Sequence, residues 1–150
     1  PRHLCYSPDG QYAYCANELS STVSILSCNG ENGTFTHLSH LTTRAASHKD
    51  NDNYPAAIRC DGSYVFVSNR GDDDVAVFRM EDGGSSLTPI ANLSTGGHWP
   101  RDIWVDGDLL FCTNERSDNI TVFRMTKDRT DAVLMQEIRE ISQPIAVLVV

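Results

Sequence analysis

Seven side chains of this 150-residue chain have the chemistry to act on a ligand: Arg2, His3, Glu18, Arg70, His98, Arg101 and Glu115. They sit in five short polar segments, Pro1-Arg2-His3, Asn17-Glu18, Asn69-Arg70, Gly97-His98-Trp99-Pro100-Arg101-Asp102 and Asn114-Glu115. An arginine fork bonds a carboxylate or phosphate at two points and stays charged throughout. Histidine and glutamate move protons. Together they suit acid–base chemistry on a small anionic molecule. Each residue also has a structural alternative. Arg2 and Arg101, each following a proline, are placed to bond loop carbonyls. Glu18, Arg70 and Glu115 can pair as surface ions of little energetic weight, and His3 and His98 can be satisfied loop histidines. His37, His40 and His48 read as ordinary surface residues.

A repeat positions these segments. Asp9-Gly10, Asp61-Gly62 and Asp106-Gly107 recur, each Asp followed eight residues later by Asn17, Asn69 or Asn114. Eight residues after each Asn comes the apolar end of another strand, at Ile25-Leu26, Val77-Phe78 and Val122-Phe123. The first copy reads as strands His3–Ser7, Tyr12–Ala16 and Thr22–Leu26. Tyr12–Cys15, Tyr64–Val67 and Leu109–Cys112 are apolar runs of the kind that bury both faces. Val23/Ile25, Val75/Val77 and Ile120/Val122 alternate with smaller or polar residues, as in a strand with unequal faces. Asp-Gly between such runs marks a tight turn. A fourth strand follows in each copy, at Thr34–Leu41, Leu87–Leu93 and Ala132–Ile141, and no segment makes a convincing helix.

Four antiparallel strands in a tandem unit of roughly 45 residues predict an all-β fold, a β-propeller with blades at 1–43, 54–99 and 100–143. The first unit is longer, and the excess falls in Thr43–Asn53, read as an exposed loop. Residues 144–150 open like a fourth copy, since Gln143-Pro144-Ile145-Ala146 echoes Tyr54-Pro55-Ala56-Ala57, and are expected to form a closing strand. Three blades do not close a ring, so the chain is expected to be the C-terminal part of one partial propeller domain whose N-terminal blades lie elsewhere. Antiparallel connectivity places the turns between strands 1 and 2, and 3 and 4, at one end of each blade. The 2–3 loops and the connections to the next blade lie at the other end, which receives all seven candidate side chains. Glu18, Arg70 and Glu115 occupy one repeat position yet differ in charge, whereas the asparagine before each is invariant across the three copies.

The formal net charge is −8, and no basic stripe is present to neutralise nucleic-acid phosphates. No run approaches the roughly 18 apolar residues of a membrane span, so neither nucleic acid nor membrane is an expected partner. The five cysteines contain no C-x-x-C pair and read as small core hydrophobes of a reducing compartment, hence a cytoplasmic location, with no metal site or disulfide framework. Arg70-Gly71-Asp72 and the Asn-x-Ser/Thr triplets at Asn32, Asn92 and Asn119 are read as chance matches within loops and strands.

PRHLCYSPDGQYAYCANELSSTVSIL, SNRGDDDVAVF and STGGHWPRDIWVDGDLLFCTNERSDNITVF resemble the lactonase family of seven-bladed propellers, which includes cycloisomerase-like 6-phosphogluconolactonases; the fungal carboxymuconate cyclases share the fold. The resemblance covers essentially the whole chain and matches the family's last three blades and closing strand. It implies metal-free, cofactor-free hydrolysis of 6-phosphogluconolactone in the pentose phosphate pathway. It also implies active-site positions at Arg2, Glu18 and Arg70, with a further family histidine in a blade outside this chain. In that reading Arg2 and Arg70 hold the anionic sugar-lactone and its oxyanion, His3 or Glu18 activates water, and His98, Arg101 and Glu115 bind substrate. Glu115-Arg116 departs from the more neutral loop expected after Asn114. Two other readings remain open at this stage, a muconate-type lactone cyclase and a non-catalytic propeller scaffold.

Overall fold

A computed structural model describes residues 1–48 and 51–150. Its twelve strands form three four-stranded antiparallel sheets, each in simple sequential order. Blade 1 comprises β1 (Leu4–Tyr6), β2 (Tyr12–Asn17), β3 (Thr22–Asn29) and β4 (Thr34–Thr42). Blade 2 comprises β5 (Tyr54–Asp61), β6 (Tyr64–Arg70), β7 (Asp74–Glu81) and β8 (Ser86–Ser94), and blade 3 comprises β9 (Pro100–Asp106), β10 (Leu109–Asn114), β11 (Asn119–Met125) and β12 (Ala132–Ile138). A single 3₁₀ turn, Asp82–Gly84, interrupts the β7–β8 connection.

The period-two pattern explains how the blades stack. In blade 2, Ile58, Val65, Val67, Ala76 and Phe78 face blade 1, where they meet Tyr14, Ala16, Val23 and Ile25. Their neighbours Ala57, Phe66, Val75 and Val77 face blade 3 and meet Ile103, Leu110, Cys112 and Phe123. Successive side chains of a strand point to opposite faces, so a middle blade must be apolar on both, and Val65-Phe66-Val67 is. The outer sides are different: Leu4, Tyr6, Phe35 and Leu38 of blade 1 and Val133, Leu134 and Met135 of blade 3 are exposed. Between blades, the Tyr14 hydroxyl donates to the Gly84 carbonyl at 2.8 Å. Gly84 has φ 108° and a Cβ there would lie 2.9 Å from that hydroxyl, so the close approach requires glycine.

Several expectations shift. β1 is shorter than His3–Ser7, and β12 stops at Ile138 rather than Ile141. Residues 144–150 form no strand ladder with the described blades; the segment is held by the Val147 N–H, which donates to Asp102 Oδ2 at 3.1 Å. The Thr43–Asn53 connection, expected to be exposed, is buried at both ends, with Thr43 1% and Asn53 6% exposed; residues 49 and 50 within it lie outside the described residues. Burial follows from the asparagine repeat, since Asn69 Nδ2 donates to the Thr43 carbonyl and Asn69 Oδ1 accepts from Thr43 Oγ1 and Asn53 Nδ2. Among the cysteines only Cys112 is fully buried and the other four are half-buried, all as free thiols. Burial pushes the Cys5 and Cys112 thiols up to about 12 and the Cys60 thiol up to about 11, so these three stay protonated and inert.

Candidate functional site

The asparagine of each repeat builds the end of the blade that carries the chemistry. Asn17 donates to Thr22 Oγ1 and Ser24 Oγ, Asn69 to the Thr43 carbonyl and the Asp74 carboxylate, and Asn114 to the Thr95 carbonyl and Thr121 Oγ1. In blades 2 and 3 the amide therefore ties the 2–3 loop to the connection arriving from the preceding blade. Four residues after each asparagine, Ser21, Asp73 and Asp118 turn the chain with φ of 54°, 58° and 52°. The side chains next to the asparagines, Glu18, Arg70 and Glu115, are thereby set beside the blade entrances that carry Arg2, His3 and Arg101.

Arg2 enters just ahead of β1, its N–H bonded to the Ala16 carbonyl at 2.8 Å. Its guanidinium donates to the adjacent His3 ring at 3.1 Å, and among the described residues no carboxylate pairs with it. Arg70, at the end of β6 and only 5% exposed, forms an ion pair across the blade boundary with Glu18, and its Nε–H donates to the Tyr54 carbonyl at 3.1 Å. Arg101 and Glu115 pair within blade 3 at 2.8 Å. So, of the pairs expected among Glu18, Arg70 and Glu115, Glu18–Arg70 forms across the blade boundary with the arginine end buried, whereas Glu115 pairs with Arg101 inside its own blade.

These groups sense one another. The Arg2 pKa is lowered by burial first and then by the charges of Arg70 and Arg101, with Glu18 opposing. The His3 pKa is lowered by burial, then by Arg2 and Arg59, which keeps the ring neutral near pH 7. The hydrogen bond from Arg70 holds the Glu18 carboxyl below its ordinary range, with Arg2 and Arg101 adding to that pull. Arg2 thus feels two further arginines, Arg70 and Arg101, and two carboxylates, Glu18 and Asp102.

His98 goes elsewhere. Its Nδ1 lies 2.9 Å from Asp73 Oδ2, and it borders a recess of about 360 Å³ lined also by His48, Asp72 and Asp74. Two residues with no role assigned from the sequence lie deeper on the inner strands: Arg59 pairs with the buried Asp102 at 2.7 Å and sits over the Trp104 ring at 5.6 Å. The signal was available, because Arg59 is a charge inside Ala57-Ile58-Arg59-Cys60, where the other blades place Cys5 and Trp104. Trp99 was also unassigned; its ring carries Arg116 at 3.4 Å and Arg70 at 5.5 Å. No helix is long and apolar enough to cross a membrane, and among the described residues no group of three or more His, Cys, Asp or Glu is arranged to hold a metal.

Known proteins share this fold. The chain is 34% identical over 100 residues to a 6-phosphogluconolactonase of Bacillus subtilis, a match covering 66% of this chain and 29% of that protein. A solved structure from Lactobacillus plantarum superposes with a TM-score of 0.87 at 36% identity, covering 97% of this chain and 43% of that one. The periplasmic gluconolactonase PpgL of Pseudomonas aeruginosa superposes with a TM-score of 0.88 at 26% identity, over 97% and 41%. The chain thus spans less than half the length of the relatives it matches. The family described as "Lactonase, 7-bladed beta-propeller" matches residues 1–149, and the chain belongs to that lactonase family of seven-bladed β-propellers.

Proposed function

We propose that these blades carry part of a site that hydrolyses a sugar-acid lactone, with 6-phosphogluconolactone as the substrate and 6-phosphogluconate as the product. The observation that carries the reading is Arg2: a partly desolvated guanidinium without a carboxylate partner, crowded by Arg70 and Arg101. Such a group gains most by accepting an anion, and its planar fork suits the oxygen that becomes negative when water adds to the lactone carbonyl. The names of two relatives, a 6-phosphogluconolactonase and a gluconolactonase, support the same chemistry.

His3 is the better general base of the two candidates. Glu18 is ionised but engaged by Arg70, which lowers its basicity, whereas His3 is neutral and adjacent to Arg2. An anion that draws the Arg2 guanidinium off the ring leaves a neutral imidazole nitrogen able to take a proton from water. The hydroxide oxygen bonds to the carbonyl carbon, and Arg2 and Arg70 stabilise the resulting oxyanion. Collapse breaks the ring C–O bond, and the imidazolium returns its proton to the leaving alkoxide, giving the open hydroxy acid. Glu18 fixes the direction of Arg70, and Glu115 does the same for Arg101.

The test is acid release from 6-phosphogluconolactone by the intact protein, followed in a pH-stat against spontaneous hydrolysis. Turnover is expected, and His3→Gln is expected to lower kcat by about 10²–10⁴. No turnover above the spontaneous rate would contradict the proposal.

A further inference from the structure

We propose that Arg116, stacked on Trp99, is a preformed subsite for a phosphoryl group on the part of the substrate that does not react. This rests on the lactonase reading above and bears on which lactone the site prefers. Arg116 is exposed, and its guanidinium carbon lies 3.4 Å from the centre of the Trp99 ring. Among the described residues no carboxylate or carbonyl oxygen accepts from that guanidinium, which lies on the ring. Arg101 is paired with Glu115, Arg70 is shared between Glu18 and the proposed oxyanion, and Arg2 is assigned to that oxyanion, which leaves Arg116 as the mouth arginine for a second anion. Stacking engages the face of a guanidinium and leaves its edge N–H groups available, the arrangement that binds phosphate at two points.

The platform under Arg116 is built rather than incidental. Trp99 adopts φ 65°, a conformation rare for an aromatic residue. It is held there by its N–H, which donates to Asp73 Oδ1 at 2.8 Å, and by its carbonyl, which accepts from the Glu115 N–H at 3.2 Å. The Arg116 N–H donates to the His98 carbonyl at 3.1 Å, and the His98 N–H donates to Ser117 Oγ at 2.8 Å. Three of these hydrogen bonds strap the β8–β9 connection to the blade 3 loop that carries Arg116, and the fourth ties it to the β6–β7 loop at Asp73. Gly97 permits the approach, because a Cβ there would fall 2.5 Å from the Asn114 side chain. The same Trp99 ring packs against Tyr54 at 5.8 Å and lies 5.5 Å from Arg70, which links the subsite to the mouth. A substrate with its carbonyl at Arg2 and Arg70 and its phosphoryl group at Arg116 would use both sets of charges.

The experiment compares the intact protein with its Arg116→Gln and Arg116→Lys variants. The ratio of kcat/KM for 6-phosphogluconolactone to that for gluconolactone is expected to fall about 10-fold in Arg116→Gln, the weight of one charge-assisted contact at an exposed position. Arg116→Lys, which keeps the charge without the planar fork, is expected to recover part of that loss. Calorimetric titration with inorganic phosphate measures the subsite without any turnover, and a dissociation constant about 10-fold weaker in Arg116→Gln is expected. If neither lactone is hydrolysed but phosphate binding depends on Arg116, the lactonase reading falls and the subsite stands. An unchanged substrate ratio in a protein that does hydrolyse both lactones, or a phosphate affinity that is absent or indifferent to Arg116, overturns the subsite.

Discussion

At the scale of single residues, the candidate end of the blades is governed by how each charge is compensated. Glu18 pairs with Arg70 and Glu115 with Arg101, and among the described residues no carboxylate pairs with Arg2. Asp74 shows the opposite case, a carboxyl that burial pushes up to about 6 although Asn69 and Asn92 both donate to it. A carboxyl that binds its proton more tightly when folded contributes stability that is complete below its unfolded value of 3.8 and lost as the pH rises through about 6. Asp74→Asn is therefore expected to flatten the fall in unfolding free energy between about pH 4 and 6. Urea titrations of both proteins across that window measure it, and parallel profiles would refute the assignment. A second residue-scale prediction concerns Gly97: Gly97→Ala is expected to destabilise the protein by about 1–3 kcal/mol, since the added methyl meets Asn114 inside the strap. A melting temperature equal to that of the unchanged protein would show that the loop yields freely.

At the scale of elements, the strands were legible because their period is simple and is repeated three times. Val65-Phe66-Val67 reads as a strand buried on both faces, and each of its side chains meets the blade that alternation assigns it. Phe66 is fully buried against blade 3, so Phe66→Ala is expected to cost about 3–5 kcal/mol, read as a lower urea midpoint. A loss below about 1 kcal/mol would mean that the blade 2–blade 3 contact is loose. The repeat also located the end at which Arg2, Glu18, Arg70, Arg101 and Glu115 gather, through strand direction alone. What the sequence did not reveal is tertiary. Nothing in the spacing of Thr43 and Asn53 says that both are drawn under Asn69, and nothing near Arg59 names Asp102 as its partner 43 residues away. His98 shared a segment with Arg101 but turned to Asp73, because the reversed backbone at Trp99 sends the two side chains different ways.

At the scale of the whole molecule, three blades fan around one inner edge and present their 2–3 loops and connecting segments on a single surface. That surface carries both signs of charge, with Arg2, Arg70, Arg101 and Arg116 beside Glu18, Glu115 and the Asp72–Asp74 run at the β6–β7 loop. The role proposed for Arg2, meeting the charge that develops on the lactone, is tested by kcat/KM for 6-phosphogluconolactone in the intact protein and in Arg2→Ala, with Arg2→Lys as the control for folding. Arg2→Ala is expected to lose about 10²–10³-fold, the weight of one oxyanion donor, with Arg2→Lys between the two. Equal kcat/KM for the unchanged protein and Arg2→Ala would contradict it.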